Sequence, residues 1–260
     1  MEFLYIYLIS LAFFTLWYIV AQVKNNNGLV DIAWGLGIVI SAISSLIIGA
    51  HYSVIGIIIT ILTTIWGLRL SMYLFVRNFN KKEDYRYTNM KIRWKTSIKV
   101  KSYFYIFFMQ SIINFVIALP IILTNLNPES TLNIINISLI SVGIVVFLLG
   151  FIFEVLADHS LQRFKKDPKN KGQIMQSNVW KYSRHPNYFG ESMIWWGIGL
   201  LAVSTLNLIG LLGLLSPIII TFLLVKVSGI PLLEKRYKDD PNYQVYKSKT
   251  SIFFPLPPKK

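Results

Sequence analysis

Trp180-Lys181-Tyr182-Ser183-Arg184-His185-Pro186-Asn187-Tyr188-Phe189-Gly190-Glu191 runs without a break into an apolar segment from Ser192 to Leu206. Six of these side chains hydrogen-bond or ionise: Tyr182, Arg184, His185, Asn187, Tyr188 and Glu191. They stand where an apolar helix begins. Polar and charged groups are costly at membrane depth unless something uses them. A large polar ligand, gripped at the cytoplasmic mouth of a helix bundle, would be such a use. The rest of the 260-residue chain supports a membrane setting, since it is 54% hydrophobic with a mean hydropathy of +0.52. A soluble domain of this length is less apolar. Helices of about 20 apolar residues cross the ~30 Å hydrocarbon core. Seven such runs are expected, at 2–22, 29–49, 52–75, 102–124, 132–157, 187–206 and 208–230. The expected fold is all-α, one integral membrane domain over 1–260.

The formal charge of +14 is placed unevenly. Of 26 Lys and Arg, nine lie in 77–101, seven in 158–189 and seven in 231–260. The connections 50–52, 124–133 and 206–208 carry none. With seven spans, every basic segment falls on one side, which the positive-inside rule makes the cytoplasm. The N-terminus is then outside and the C-terminus cytoplasmic, in a multi-pass protein of the cell membrane. Topology and attraction to anionic lipid account for the charge, so nucleic acid is not an expected partner. Cysteine is absent, which removes disulfides, thiolate catalysis and Cys-based metal sites. Three scattered histidines make no convincing metal site. Met1-Glu2-Phe3-Leu4 has no basic leader, so the first apolar run reads as a retained span.

Ionisable groups recur in the cytoplasmic half of this topology: Asp31, Arg69, Glu154, Asp158, Glu191 and Lys226. They suggest one polar cavity opening inward over an apolar floor. Glu154 and Asp158, at the close of the fifth run, share a helix face at i, i+4. Ribose hydroxyls, an amide, a metal or Arg184 would each relieve their repulsion. For Asp31 a first-turn acid complementing the helix dipole is the alternative; for Arg69 and Lys226 it is snorkelling to the interface. Pro186 suits the first turn of a helix. The amino end of that helix, with Arg184 and His185 beside it, would attract phosphate or carboxylate. Asn187 and Glu191 are again at i, i+4.

The stretch 180–191 resembles the C-terminal signature of the membrane steroid 5-alpha-reductase-like family, in its prokaryotic branch. The resemblance extends to Asp31-Ile32-Ala33-Trp34-Gly35, Trp66-Gly67-Leu68-Arg69-Leu70, Glu83-Asp84-Tyr85-Arg86-Tyr87, Glu154 to Phe164, and Val227 to Glu234. A shorter Arg-His-Pro pattern is shared with isoprenylcysteine carboxyl methyltransferases and sterol reductases. The resemblance implies an oxidoreductase that binds NADPH from the cytoplasmic side and reduces the carbon–carbon double bond of a lipidic enone. Hydride would pass from nicotinamide C4 to the carbon beta to a carbonyl, whose oxygen needs a positioned donor.

On that resemblance, Glu154 and Asp158 hold polar groups of the cofactor. Arg77, Arg86, Lys165 and Arg184 are candidate phosphate contacts. Tyr182, His185 and Tyr188 belong to the same cofactor-binding set. Asn187 and Glu191 lie nearest the nicotinamide. Glu234, Tyr237 and Tyr246 sit on a closing C-terminal tail. Asp31 and Trp66 stand near the places of the Glu and Tyr that contact the enone oxygen in steroid reductases, with Asp31 as a donor if burial keeps it protonated. Two other readings use the same residues. One is an S-adenosylmethionine-dependent methyltransferase of the isoprenylcysteine type, which the long basic segment 77–101 disfavours because a sulfonium cofactor needs no cations. The other is a lipid-binding membrane protein without a cofactor. The substrate's identity and the oligomeric state are not legible in the sequence.

Overall fold

The computed structural model describes residues 1–128 and 132–259, so the 124–133 connection and the C-terminal lysine lie partly outside the described residues. Every regular element among those residues is helical. In chain order they are α1 Glu2–Val23, α2 Val30–Gly49, α3 Val54–Asn78, α4 Tyr85–Trp94, α5 Ile98–Ile117, α6 Leu119–Leu126, α7 Ile134–Lys166, α8 Pro186–Val203, α9 Leu208–Lys235 and α10 Pro241–Lys249. Among the described residues six helical stretches are long and apolar enough to cross a membrane: α1, α2 with its lead-in from Asn27, α3, α5, α7 and α9. Thus the chain is a multi-helix membrane protein by length and composition.

Three boundaries differ from the sequence expectation, each for a visible reason. The expected sixth span, 187–206, is helical as α8 but is not among the six. It has only 18 residues, and Asn187, Tyr188 and Glu191 dilute its first turns. The expected run 102–124 is broken between α5 and α6. Pro120 donates no N–H and its ring would collide with the preceding turn, so the helix ends at Ile117 and restarts with Pro120 in the new first turn. Asp158 does not close the fifth run. Instead α7 continues two turns further to Lys166, and its basic last turn, Arg163, Lys165 and Lys166, complements the negative helix end.

The chain divides into two compact units. The first comprises Met1–Asn136 and Ala202–Ser216. Its core gathers Phe14, Ala21, Leu29, Ile32, Tyr87 and Phe107. There α2 and α3 touch backbone to backbone, and a β-carbon on Gly35 would come within 2.4 Å of the Gly67 carbonyl oxygen. The Ser71 hydroxyl bridges the same crossing. It donates to the Ile32 carbonyl at 2.9 Å and accepts from the Leu36 N–H at 3.0 Å.

The second unit comprises Ile137–Leu201 and Pro217–Lys260. Here α7 and α8 meet through two pairs of glycines spaced seven residues apart, Gly143 and Gly150 against Gly197 and Gly190. Small residues at heptad spacing let helix backbones approach closely, the arrangement favoured where lipid offers no hydrophobic drive between helices. A β-carbon on Gly190 would lie 2.6 Å from the Glu154 backbone nitrogen and 2.7 Å from the Gly150 carbonyl oxygen. Gly190 therefore brings the first turns of α8 against α7 at the level of Glu154.

Candidate functional site

The polar stretch 180–191 is the organising centre of the second unit. The Trp180 indole N–H donates to the Ala157 carbonyl of α7 at 3.0 Å. Ser183, Arg184 and His185 are buried. The Arg184 guanidinium donates through Nε to Glu234 at 2.8 Å, and through Nη1 to the carbonyls of Lys247 and Thr250 at 2.9 and 2.8 Å. Its backbone N–H donates to Ser251 O at 2.8 Å, while the Ser183 hydroxyl donates to Phe253 O at 2.8 Å. The Leu256 N–H returns a bond to Tyr182 O at 3.0 Å. The Tyr246 hydroxyl donates to the carbonyls of Trp180 and Ser183. The tail from α10 to Leu256 is thus strapped along the signature by its backbone.

Glu234 is the hub of this latch. One carboxylate oxygen accepts from Arg184 and lies 3.2 Å from the His185 ring Nε2; the other lies 3.3 Å from Lys247. Burial pushes the His185 pKa below its ordinary value, and the neighbouring Arg184 adds to this, although the Glu234 carboxylate opposes it. A neutral His185 stacks parallel on Tyr188, with ring centroids 5.7 Å apart. Burial also raises the Tyr246 and Tyr243 pKa values, so both phenols stay protonated. Tyr237 stacks on Tyr243 at 4.9 Å.

Glu154 and Asp158 are 2% and 4% exposed, one helical turn apart on α7. Asn187 and Glu191 are half-buried in the first turns of α8. The Ser192 and Thr221 hydroxyls, 2.7 Å apart, tie α8 to α9. Lys165 is exposed on the last turn of α7, and Tyr182 is exposed ahead of α8.

The remaining sequence candidates, Asp31, Trp66, Arg77 and Arg86, belong to the first unit. Asp31 accepts from the Arg86 guanidinium at 3.0 Å and from the Tyr87 hydroxyl at 2.8 Å. Arg86 is also held by Asp84, which caps α4 through the Arg86 N–H at 2.9 Å. The Glu83 carboxylate accepts from the Asn27 N–H at 2.6 Å and pairs with Lys91. The two sequence stretches 31–35 and 83–87 therefore form one polar knot at the start of α2. Burial is the largest influence on Arg86 and opposes its charge, but Asp31, Asp84 and Tyr87 together outweigh it and raise the pKa. Burial, reinforced by Asp31, keeps Tyr87 protonated. Trp66 is fully buried in α3, and Arg77 is exposed beside Tyr73 and Asn78. Sequence reasoning quoted Tyr87 only as part of a motif and passed over Lys247 and Thr221. A tyrosine inside a charged pentapeptide was the available signal for the first; the others depend on contacts from distant parts of the chain.

Residues 17–250 match the family model described as "Protein of unknown function (DUF1295)". The chain belongs to the DUF1295 family. This family lies in the steroid 5-alpha-reductase-like superfamily. An uncharacterized protein of Schizosaccharomyces pombe is 26% identical over 272 residues, which cover 92% of this chain and 75% of that protein. No solved structure matches the chain. The DUF1295 match takes in both the Asp31 knot and the 180–191 latch. In this DUF1295 protein, Asp31→Ala is expected to strip the buried Tyr87 hydroxyl of its acceptor and cost about 1–3 kcal/mol. Asp31→Asn, which keeps an acceptor oxygen, should lose less. Thermal unfolding of the two variants side by side checks the order.

Proposed function

We propose that this protein is an NADPH-dependent membrane reductase acting on the carbon–carbon double bond of a lipidic or steroid-like enone. The observation that carries the reading is the pair of carboxylates, Glu154 and Asp158, that one face of α7 sets beside the first turns of α8. Close packing at Gly190 brings the amino end of α8 against this region. A carboxylate accepts hydrogen bonds through both oxygens, and the donor-rich ribose and amide groups of a dinucleotide suit acceptors of this kind. The residues present fit such a cofactor: Glu154 and Asp158 as acceptors, Asn187, Tyr188 and Glu191 on the first turns of α8, and the positive end of that helix for anionic groups. Bound there, NADPH supplies the hydride.

The chain's own residues orient and enclose. Glu154 and Asp158 fix the donor groups that meet them. Asn187 and Glu191, one turn apart, present an amide and a carboxylate from a single rigid helix. The Glu234–Arg184 latch holds the tail in place, which limits water at the amino end of α8 and strengthens electrostatic contacts there. We place the site on the cytoplasmic side of the cell membrane, with the N-terminus outside.

The test is turnover by purified protein in detergent, following NADPH consumption against cyclic and acyclic lipidic enones. Enone-dependent consumption that falls by about 100-fold or more in Glu191→Ala is the expected result. Methyl transfer from S-adenosylmethionine to a lipid acceptor, with no NADPH consumption under any enone, would overturn the reading.

A further inference from the structure

The outer face of α7 carries a feature that the cofactor reading leaves unused. A recess of about 500 Å³ opens beside its C-terminal turns, walled by His159, Ser160, Asn178, Lys181 and Tyr182, with Leu156 at its base. Glu154 and Asp158 point the opposite way. At 100° per residue, positions 156, 159 and 160 centre on the far side of the helix from 154 and 158. A ligand held by the two acids therefore does not fill this recess. Its wall offers a lysine ammonium, an imidazole, the Tyr182 hydroxyl and an amide, while the Ser160 hydroxyl donates to the Leu156 and Ala157 carbonyls at 2.7 and 3.1 Å, and no carboxylate lines it among the described residues. Arg163, one turn beyond His159, adds a second exposed cation to the rim. Donors and cations without an acid are the chemistry of a phosphate ester.

The same face continues down the helix as an exposed apolar stripe. Val145, Leu148, Leu149, Ile152 and Leu156 are each 46–54% exposed. All five fall within about 100° of helix circumference, in line with the recess. From Val145 to Leu156 the stripe is about 17 Å long, close to the ~15 Å hydrocarbon depth of one leaflet. A phosphate-binding recess at the top of a leaflet-length apolar stripe has the shape of one phospholipid.

We propose that this face of α7 is a binding site for an anionic phospholipid. The headgroup phosphate sits in the recess against Lys181, His159 and Asn178, and one acyl chain lies along the stripe. This inference does not rest on the reductase reading: the two sites use opposite faces of one helix, and loss of either leaves the other in place.

Native mass spectrometry of the full chain, released from neutral detergent, tests it. The probes are phosphatidylglycerol, phosphatidylcholine, glycerol 1-phosphate and inorganic phosphate. Wild type is expected to retain one phosphatidylglycerol about tenfold more tightly than phosphatidylcholine. The double variant His159→Ala, Lys181→Ala should lose that preference, and Leu156→Asp should weaken both lipids. Lys99→Glu, an exposed charge change in the other unit, should leave binding as in wild type. Equal retention of the two lipids by wild type, or an unchanged preference in the double variant, overturns the proposal. Binding of glycerol 1-phosphate or inorganic phosphate as tight as that of the lipid would assign the recess to a soluble phosphate and overturn the lipid assignment.

Discussion

Glu234→Ala is expected to be among the most damaging single substitutions in the second unit. It deletes the carboxylate that meets Arg184, His185 and Lys247 at once. Arg184 is only 6% exposed, so its charge would be left in a poorly solvated place. Breaking a buried pair by removing one partner costs about 3–5 kcal/mol. The two carbonyl bonds from Arg184 to Lys247 and Thr250 would remain as its partial compensation. The tail should then open more often, exposing Lys247 and Lys249 to trypsin. Thermal unfolding and the rate of tryptic cleavage measure the two consequences together. Glu234→Gln should lie between, because an amide oxygen still accepts from Arg184. If Glu234→Ala unfolds like wild type and its tail is cleaved no faster, the latch is not what holds the tail.

Gly190→Leu carries the second large effect. Even a β-carbon at this position would stand 2.6 Å from the Glu154 nitrogen and 2.7 Å from the Gly150 carbonyl, and neither backbone atom can step aside. A leucine must push α8 away from α7 along the line where Gly143 and Gly197 also pack closely. Overpacking of a close-packed interior costs about 1–3 kcal/mol, and more where backbone must move. The expected result is a protein that fails to accumulate in a folded state, or that unfolds many degrees lower. Gly172→Asn is the comparison. Gly172 has φ +80° and nothing within 4 Å of its would-be β-carbon, and asparagine tolerates that conformation, so its effect should stay below about 1 kcal/mol. Similar losses for both glycines would mean that the α7–α8 contact is looser than the backbone distances imply.

How much of this was legible in the sequence depends on the range of the interaction. The apolar runs that became α1, α2, α3 and α7 are local properties, and their helices begin within a few residues of the runs. The break before α6 was local too: Pro120 marks it, although the unbroken apolar composition of 102–124 outweighed that signal. The length of α7 was less legible, because Asp158 looks like a helix end when its neighbours in space are unknown. Inside the second unit it is 4% exposed and the helix simply continues. Least legible was the use made of Arg184. Basic and beside a helix amino end, it reads as a phosphate contact. In the structure its Nε and Nη1 bind Glu234 and two tail carbonyls, 50 to 66 residues further along the chain. The knot of Asp31, Arg86 and Tyr87 likewise joins residues 55 and 56 apart. Both stretches were recognisable as motifs, but neither sequence says that one completes the other.

The NADPH proposal requires that the unit containing Glu154, Asp158 and the 180–191 stretch bind a phosphorylated dinucleotide. Thermal unfolding of the detergent-purified full chain, with NADPH, NADH and S-adenosylmethionine in parallel, tests it most directly. A ligand at 100 times its dissociation constant stabilises by about 2.7 kcal/mol, which is readily seen as a shift in Tm. The account predicts a shift with NADPH, a smaller one with NADH, none with S-adenosylmethionine, and loss of the NADPH shift in Glu154→Ala. A shift with S-adenosylmethionine alone, or no shift with either nicotinamide cofactor, would contradict it.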